Sequence, residues 1–325
     1  MSERSRVVVM GTTADEPPPE IDVIEGVVDV SYAVTVEELA RELDGADVLF
    51  AWRPNRNGPL LPPAWSHAGS LKWIQSASAG VDGLLFPELV DSYVVLTNAR
   101  GVFDAAIAEY VVGLMLVFAK DLLGVLEGQR RREWRPGDTE TLEGKRLLVT
   151  GIGPIGRRIG KAGRNLGMLV RGLGRTARPG DAVFGTIHGS DDLLEALGWA
   201  DYVVNTLPAT TETHHRFATE AFGAMNPWAR FVNVGRGSTV DETALARALA
   251  DGAISAAALD VFEEEPLPAD SALWDMPNVV ISPHKAGDFA GWREALVELF
   301  VENLERYLTG NPLRNVVDKR LGFVP

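Results

Sequence analysis

Residues Gly151-Ile-Gly-Pro-Ile-Gly156 form a G-x-G-x-x-G string. It follows an apolar run at 147–150 and opens a helical pattern, the context in which the three glycines have separate physical roles. Gly151 makes the tight turn out of the strand, Gly153 leaves room for a diphosphate to approach the backbone, and Gly156 lets helix and strand pack closely. Pro154 suits the first helical turn, where a missing N–H costs little, and Ile155 opens an apolar stripe with Ile159, Ala162 and Leu166. The free N–H groups and positive dipole end of such a helix favour phosphate. The chemistry implied is dinucleotide binding.

About 20 residues beyond such a loop, an NAD site carries Asp or Glu to accept bonds from the ribose 2′-hydroxyl. No Asp or Glu occurs between Arg157 and Gly180. The apolar run at 169–172 leads instead into Leu173-Gly174-Arg175-Thr176-Ala177-Arg178. Arg175, Thr176 and Arg178 offer the cations and donors that a 2′-phosphate needs. The expected cofactor is NADP, with NAD the alternative.

These loops need strands to hold them. Six apolar runs, near 147–150, 169–172, 202–205, 231–234, 256–259 and 279–282, alternate with helical patterns, one of them starting at Asp241 and closed by Gly252. That matches a doubly wound α/β sheet. The first hundred residues carry a second α/β series, with strands at 7–10, 48–52, 72–75 and 94–97. Thr35 and Glu38 form a capping box for a helix through Leu43. A long apolar helix at 104–123 links the two series, the polar segment 127–144 follows it, and a last helix spans 289–308.

Composition narrows the function. A chain of 325 residues favours two domains, and a net charge of −14 argues against nucleic acid as a partner. The absence of Cys removes disulfides, thiolate metal sites and Cys nucleophiles, and fits a cytoplasmic protein; no metal is expected. The most apolar long stretch, 110–119, falls well short of the roughly 20 residues that span a bilayer, so no membrane role is expected.

At the level of motifs the chain resembles the D-isomer-specific 2-hydroxyacid dehydrogenases, and within them the glyoxylate/hydroxypyruvate reductases. The carriers are Ser76-Ala-Ser-Ala-Gly-Val-Asp82, Thr97-Asn-Ala-Arg-Gly-Val102, Ala108-Glu109, the glycine loop, Asn205-Thr-Leu-Pro208, Asn233-Val-Gly-Arg-Gly237, Leu259-Asp-Val-Phe-Glu-Glu-Glu-Pro266 and Ser282-Pro-His284. The resemblance implies two Rossmann-like domains: a flavodoxin-like substrate domain of residues 1–100 and 290–325, with a dinucleotide-binding domain of 101–289 inserted into it. It also implies a homodimer paired through the nucleotide domain.

The same resemblance places the catalytic residues at Arg236, Glu265 and His284. Reduction of a 2-oxo acid by hydride leaves negative charge on the carbonyl oxygen, which must be protonated. His284 suits that step because its ordinary pKa lies near 6.5, and Glu265 beside it would keep the imidazolium loaded. Arg236 would pair with the substrate carboxylate through its planar fork. Ser78, Ala79 and Gly80 offer backbone N–H groups to an anion, and Trp52 and Arg53 would shape the substrate pocket. Further cofactor contacts are implied for Leu207, Pro208, Thr213, Val234, Gly235 and Gly287, and for Asp260, which would hold the nicotinamide carboxamide. His67, His188, His214 and His215 lack such context and are expected at the surface or in loops. Lys285 departs from the family, where many members carry a smaller or apolar residue; an extra cation there bears on His284 or on a second acidic group of the substrate. Two other readings share the architecture: a phosphite-type dehydrogenase and a dinucleotide-sensing regulatory protein. Glu265 argues against a formate dehydrogenase, which carries Gln at that place.

Overall fold

The computed structural model describes residues 4–53 and 58–324. It divides into two units, one of residues 1–103 and 289–325, the other of 104–288. In chain order the first stretch gives β1 (Arg6–Met10), β2 (Asp29–Ala33), α1 (Val36–Leu43), β3 (Val48–Ala51), α2 (Leu61–Ala64), β4 (Trp73–Ser76), α3 (Pro87–Asp91) and β5 (Val95–Thr97). The inserted unit gives α4 (Asp104–Ala119), α5 (Leu122–Arg131), β6 (Arg146–Thr150), α6 (Pro154–Asn165), β7 (Leu169–Leu173), β8 (Arg178–Asp181) and β9 (Gly185–His188). It continues with α7 (Leu193–Trp199), β10 (Tyr202–Asn205), α8 (Thr219–Ala224), β11 (Arg230–Asn233), α9 (Glu242–Ala250), β12 (Ala256–Leu259) and β13 (Val279–Ile281), and α10 (Trp292–Leu308) returns to the first unit.

The first unit is a parallel sheet in the order β2-β1-β3-β4-β5, the flavodoxin-like winding. Its central strands β3 and β4 are buried along their whole length, as expected of strands covered on both faces. α1 covers one face with Leu39 and Leu43 and begins at the expected capping box, in which Thr35 Oγ1 accepts the Glu38 N–H at 3.2 Å and Glu38 Oε2 accepts the Thr35 N–H at 3.3 Å. α10 covers the other face through aromatic stacking. Phe300 lies 4.2 Å from Phe50 and 5.6 Å from Trp73, ring centre to ring centre. Beside that stack, Asn303 Nδ2 donates to buried Gln75 Oε1 at 3.0 Å.

The second unit is an eight-stranded sheet in the order β13-β12-β11-β10-β6-β7-β9-β8. All its pairs are parallel except β8 with β9. One face packs against α4 and α6, the other against α7, α8 and α9.

The structure departs from the sequence reading in several places. β2 was not anticipated, because Asp29-Val-Ser-Tyr-Ala33 is a half-exposed edge strand without an apolar run. The long helix expected at 104–123 ends at Ala119. Asp121 turns left-handed, with φ 46°, and its carboxylate accepts the Gly124 N–H to start α5, which runs into the segment expected to be a polar linker. The hairpin of β8 and β9 enlarges the six-strand expectation to eight. Its Arg-Pro-Gly-Asp strand is polar and exposed, and it is organised by the Asp181 carboxylate, which accepts two bonds from Arg157 and the N–H groups of Val183 and Phe184. On α6 the buried face is Gly156, Ile159, Gly160 and Gly163, while Leu166, expected inside, is 37% exposed. Glycines there bring the helix close enough to touch Phe184 and Leu147. His188, expected at the surface, ends β9 and is buried. No helix among the described residues is long and apolar enough to cross a membrane.

The aromatic stack predicts where the first unit is vulnerable. Phe300→Ala removes a fully buried ring and should cost about 3–5 kcal/mol. Urea unfolding followed by circular dichroism checks this; an unchanged midpoint would mean that the stack does not hold α10.

Candidate active site

The glycine loop lies at the carboxyl end of β6 and leads into α6. Gly151 has φ +93°, and a side chain there would strike Thr206, whose hydroxyl donates to the Thr150 and Gly151 carbonyls at 3.0 Å. A Cβ at Gly156 would run into the Gly151 carbonyl. Gly153 is different: its backbone is extended, and a Cβ would meet no protein atom within 4 Å. Protein packing does not demand glycine at 153, whereas a ligand lying on the backbone would. Gly153 is the N-cap of α6, Pro154 its first residue, and no side chain caps the amides of Ile155 and Gly156. These residues fit the diphosphate of a dinucleotide.

Behind this loop, a buried polar network ties three strand ends together. Asn205 Nδ2 donates to Asn233 Oδ1 at 3.0 Å and to Thr239 Oγ1 at 2.7 Å. Its Oδ1 accepts from Thr150 Oγ1 and from the Leu207 N–H, both at 3.1 Å. Asn233 accepts the Gly235 N–H at 3.1 Å and donates to the Arg236 carbonyl at 3.2 Å, which also accepts from Thr239 Oγ1 at 2.6 Å. The network fixes the backbone of 234–236 and the start of the loop at 207–213. Thr213 Oγ1 braces that second loop by donating to the Pro208 carbonyl at 2.6 Å.

The ends of β11, β12 and β13 bring the three expected catalytic residues into one unit. His284 Nδ1 and Glu265 Oε2 are 2.7 Å apart. Glu265 Oε1 accepts the Phe262 N–H at 3.0 Å, so the carboxylate is held by its own loop. Burial pushes the Glu265 carboxyl up, but the His284 bond, the Phe262 N–H and the charges of His284 and Arg236 outweigh it and hold the group below the usual carboxylate range. The same bond pushes the His284 imidazole up from its ordinary value; burial and the Arg236 charge oppose this, while the charges of Glu265 and Asp260 add to it. Arg236 Nη1 donates to the Gly235 carbonyl at 2.9 Å, and its charge bears on both members of the pair.

His284 adopts φ 48°, a left-handed conformation uncommon for a residue with a side chain. Buried Asp260 holds it there. Its carbonyl accepts the His284 N–H at 2.8 Å, and its carboxylate accepts Ser282 Oγ at 2.6 Å, the Lys285 N–H at 3.0 Å and the Ala286 N–H at 2.9 Å. The sequence reading gave Asp260 to the cofactor, with a helix or turn cap as the alternative; the sequence signal of this turn is an Asp at a strand end facing Ser-Pro-His. Lys285 contributes its N–H to the same turn, and its side chain is exposed. Gly287 ends the segment beyond Ala286.

The remaining expected residues fall into two groups. Gly174, Arg175 and Thr176 follow β7, the Gly174 N–H donating to the His188 carbonyl at 3.0 Å; Arg178 is the first residue of β8 and exposed. The first carboxylate after β7, Asp181, is occupied by Arg157. The positive charge of Arg175 reaches Glu212 in the loop after β10. In the first unit, Trp52 and Arg53 follow β3, both donating their N–H to the Met10 carbonyl, and residues 54–57 beyond them lie outside the described residues. Ser78, Ala79 and Gly80 follow β4, where Ser78 Oγ donates to the Gly80 carbonyl at 2.6 Å and Asn98 Nδ2 to the Ala79 carbonyl at 2.5 Å.

Residues 112–286 match the model of the D-isomer specific 2-hydroxyacid dehydrogenase NAD binding domain. A glyoxylate/hydroxypyruvate reductase B of Pectobacterium carotovorum is 34% identical over 262 residues, 78% of this chain and 81% of the relative. A D-isomer specific 2-hydroxyacid dehydrogenase family protein of Aeromonas salmonicida superposes with a TM-score of 0.81 at 34% identity, covering 98% of this chain and 100% of the other. The NADPH-dependent glyoxylate/hydroxypyruvate reductase of Sinorhizobium meliloti, solved with NADP and sulfate, gives 0.83 at 26% identity, covering 98% and 100%. With the glycine loop and the Arg–Glu–His constellation in place, these likenesses make the chain an oxidoreductase belonging to the D-isomer specific 2-hydroxyacid dehydrogenase family.

Proposed function

We propose that this protein is an NADP-preferring reductase of a small 2-oxo acid of the glyoxylate or hydroxypyruvate kind, with His284 as general acid. The observation that carries the reading is the 2.7 Å contact between His284 Nδ1 and Glu265 Oε2, with the Arg236 charge beside both. With Nδ1–H committed to Glu265, Nε2 is the nitrogen left to deliver a proton. Glu265, held below the usual carboxylate range, favours the imidazolium over the neutral ring. Arg236, its backbone fixed by Asn233 and Thr239, pairs with the substrate carboxylate and polarises the adjacent carbonyl. The cofactor, when bound, supplies the hydride. In the first unit the turn at 78–80 is an anion-binding turn beside Trp52 and Arg53. For the 2′-phosphate, Arg175, Thr176 and Arg178 are the donors, and the engagement of Asp181 with Arg157 supports this, since the first carboxylate in sequence after β7 is already paired. Relatives solved with NADP or NADPH agree with it.

We also place the protein in the cytoplasm, as a homodimer through the nucleotide unit. The support for the dimer is the apolar surface of α5, where Leu122, Leu123, Val125 and Leu126 are 36–57% exposed. Light scattering on the eluting protein should give twice the chain mass, and a monomer would remove the dimer from the reading.

Two kinetic outcomes follow. NADPH should be oxidised faster than NADH with glyoxylate or hydroxypyruvate, and Arg175→Ala should cut kcat/KM for NADPH by roughly 10–100-fold, the worth of one charge-assisted bond, with little effect on NADH. Equal loss with both cofactors would remove Arg175 from the phosphate site. Because the His284 pKa is raised, the acid stays protonated to higher pH than an ordinary imidazole, and reduction should fall as pH rises through that raised value. Glu265→Gln should move this alkaline limb to lower pH and slow turnover, while His284→Asn should lower kcat by about 10²–10⁴. An alkaline limb unmoved in Glu265→Gln would sink the pairing.

A further inference from the structure

The loop that carries Glu265 is exposed from Glu263 through Pro266, yet its carboxylate must stay within hydrogen-bond reach of His284. Exposed loops are mobile unless something ties them down. Two side chains from outside the loop do so. Glu242, the first residue of α9, accepts the Glu263 N–H on Oε1 at 2.7 Å. His215, in the loop after β10, places Nε2 against Glu263 Oε1 in a short contact. His215 is itself left-handed, with φ 46°, and its N–H donates to the Ser238 carbonyl at 2.9 Å. On the third side Gly237 lies against the Phe262 and Glu263 backbone so closely that a Cβ would overlap the Phe262 carbonyl. Arg236 immediately precedes that contact.

Charge makes the tie necessary. Glu242, Glu263 and Glu265 crowd together. Burial pushes the Glu242 carboxyl up, the Glu263 N–H opposes this, and the charges of Glu263 and Glu265 add to it. Left alone, three carboxylates would spread the loop. His215 faces Glu263, while His284 and Arg236 face Glu265, with Asp260 behind His284. Glu263 and Glu265 each have their own imidazole.

We propose that Glu242 and His215 are positioning residues for proton transfer: together they clamp the 262–265 loop so that Glu265 stays on His284 and Arg236 keeps its place beside both. The inference rests on His284 acting as the acid. Neither residue touches the reacting atoms; each acts through the loop.

The test is the titration of the His284 ring, read by NMR on the full-length chain and assigned by comparison with His284→Asn, alongside steady-state kinetics. In Glu242→Ala and His215→Ala the His284 midpoint should fall toward the unperturbed value by about half a pH unit or more. kcat should drop about ten-fold, as expected for a displaced catalytic group, with KM for the cofactor little changed. Glu242→Gln, which keeps an acceptor for the Glu263 N–H, should restore both. A raised midpoint in the wild type that stays unmoved in both alanine variants, even with lowered melting temperatures, overturns the positioning role and leaves a purely structural one. A wild-type midpoint that is not raised, or full activity in His284→Asn, overturns the acid assignment instead. His215 is half-exposed, so His215→Ala carries the test should Glu242→Ala not fold.

Discussion

A parallel sheet leaves the last amides and carbonyls of each strand without ladder partners, and function is built at that edge. In the nucleotide unit four buried side chains close the gap: Thr150, Asn205, Asn233 and Thr239. Each bond is ordinary in length. What matters is that all four residues are at most 1% exposed, so any one removed leaves partners unsatisfied at about 1–3 kcal/mol each. An apolar replacement at Asn205 would orphan groups on β6, β11 and the loop after β10 at once. The glycine loop and the Arg236 backbone therefore share one foundation.

Asp260 extends the same logic by one strand. Its carboxylate is 2% exposed and accepts three donors from the turn at 282–286. A buried charge is tolerated only when it is fully engaged, and here the engagement does structural work. It bends the chain so that His284 sits at positive φ, a conformation a histidine adopts only when its surroundings over-determine it. The strain lies at the residue whose ring must meet Glu265.

The sheets of both units were legible because buried parallel strands are short apolar runs separated by turn residues, a pattern that survives without side-chain detail. The glycine loop was legible for the same reason: Gly151 and Gly156 answer to backbone collisions, which depend on local chain path. What escaped was held by long-range polar contact. The β8–β9 hairpin depends on Asp181 meeting Arg157 on a neighbouring helix, 24 residues away in sequence. The burial of His188 depends on its strand joining the sheet beside β7. Glu242 and His215, unremarkable in the sequence, acquire meaning only where α9 and the loop after β10 converge on Glu263. Glu265 was singled out by resemblance alone, since nothing in an acidic triplet separates one glutamate from the next; the structure separates them by giving Glu265 to His284 and Glu263 to His215.

A net charge of −14 opposes anionic ligands at long range. Distance resolves this. Salt screens exposed charges over roughly 8–10 Å, so the acidic surface as a whole exerts little force inside a site. Locally, individual contacts decide. Many carboxylates near the site are already spoken for: Asp181 by Arg157, Asp260 by the turn at 282–286, Glu263 by His215 and Glu265 by His284. Arg236, Arg175 and the amides of the α6 N-terminus are placed at the carboxyl edge of the sheet. The acidic residues of the site thus serve to hold a guanidinium, imidazoles and backbone amides in position.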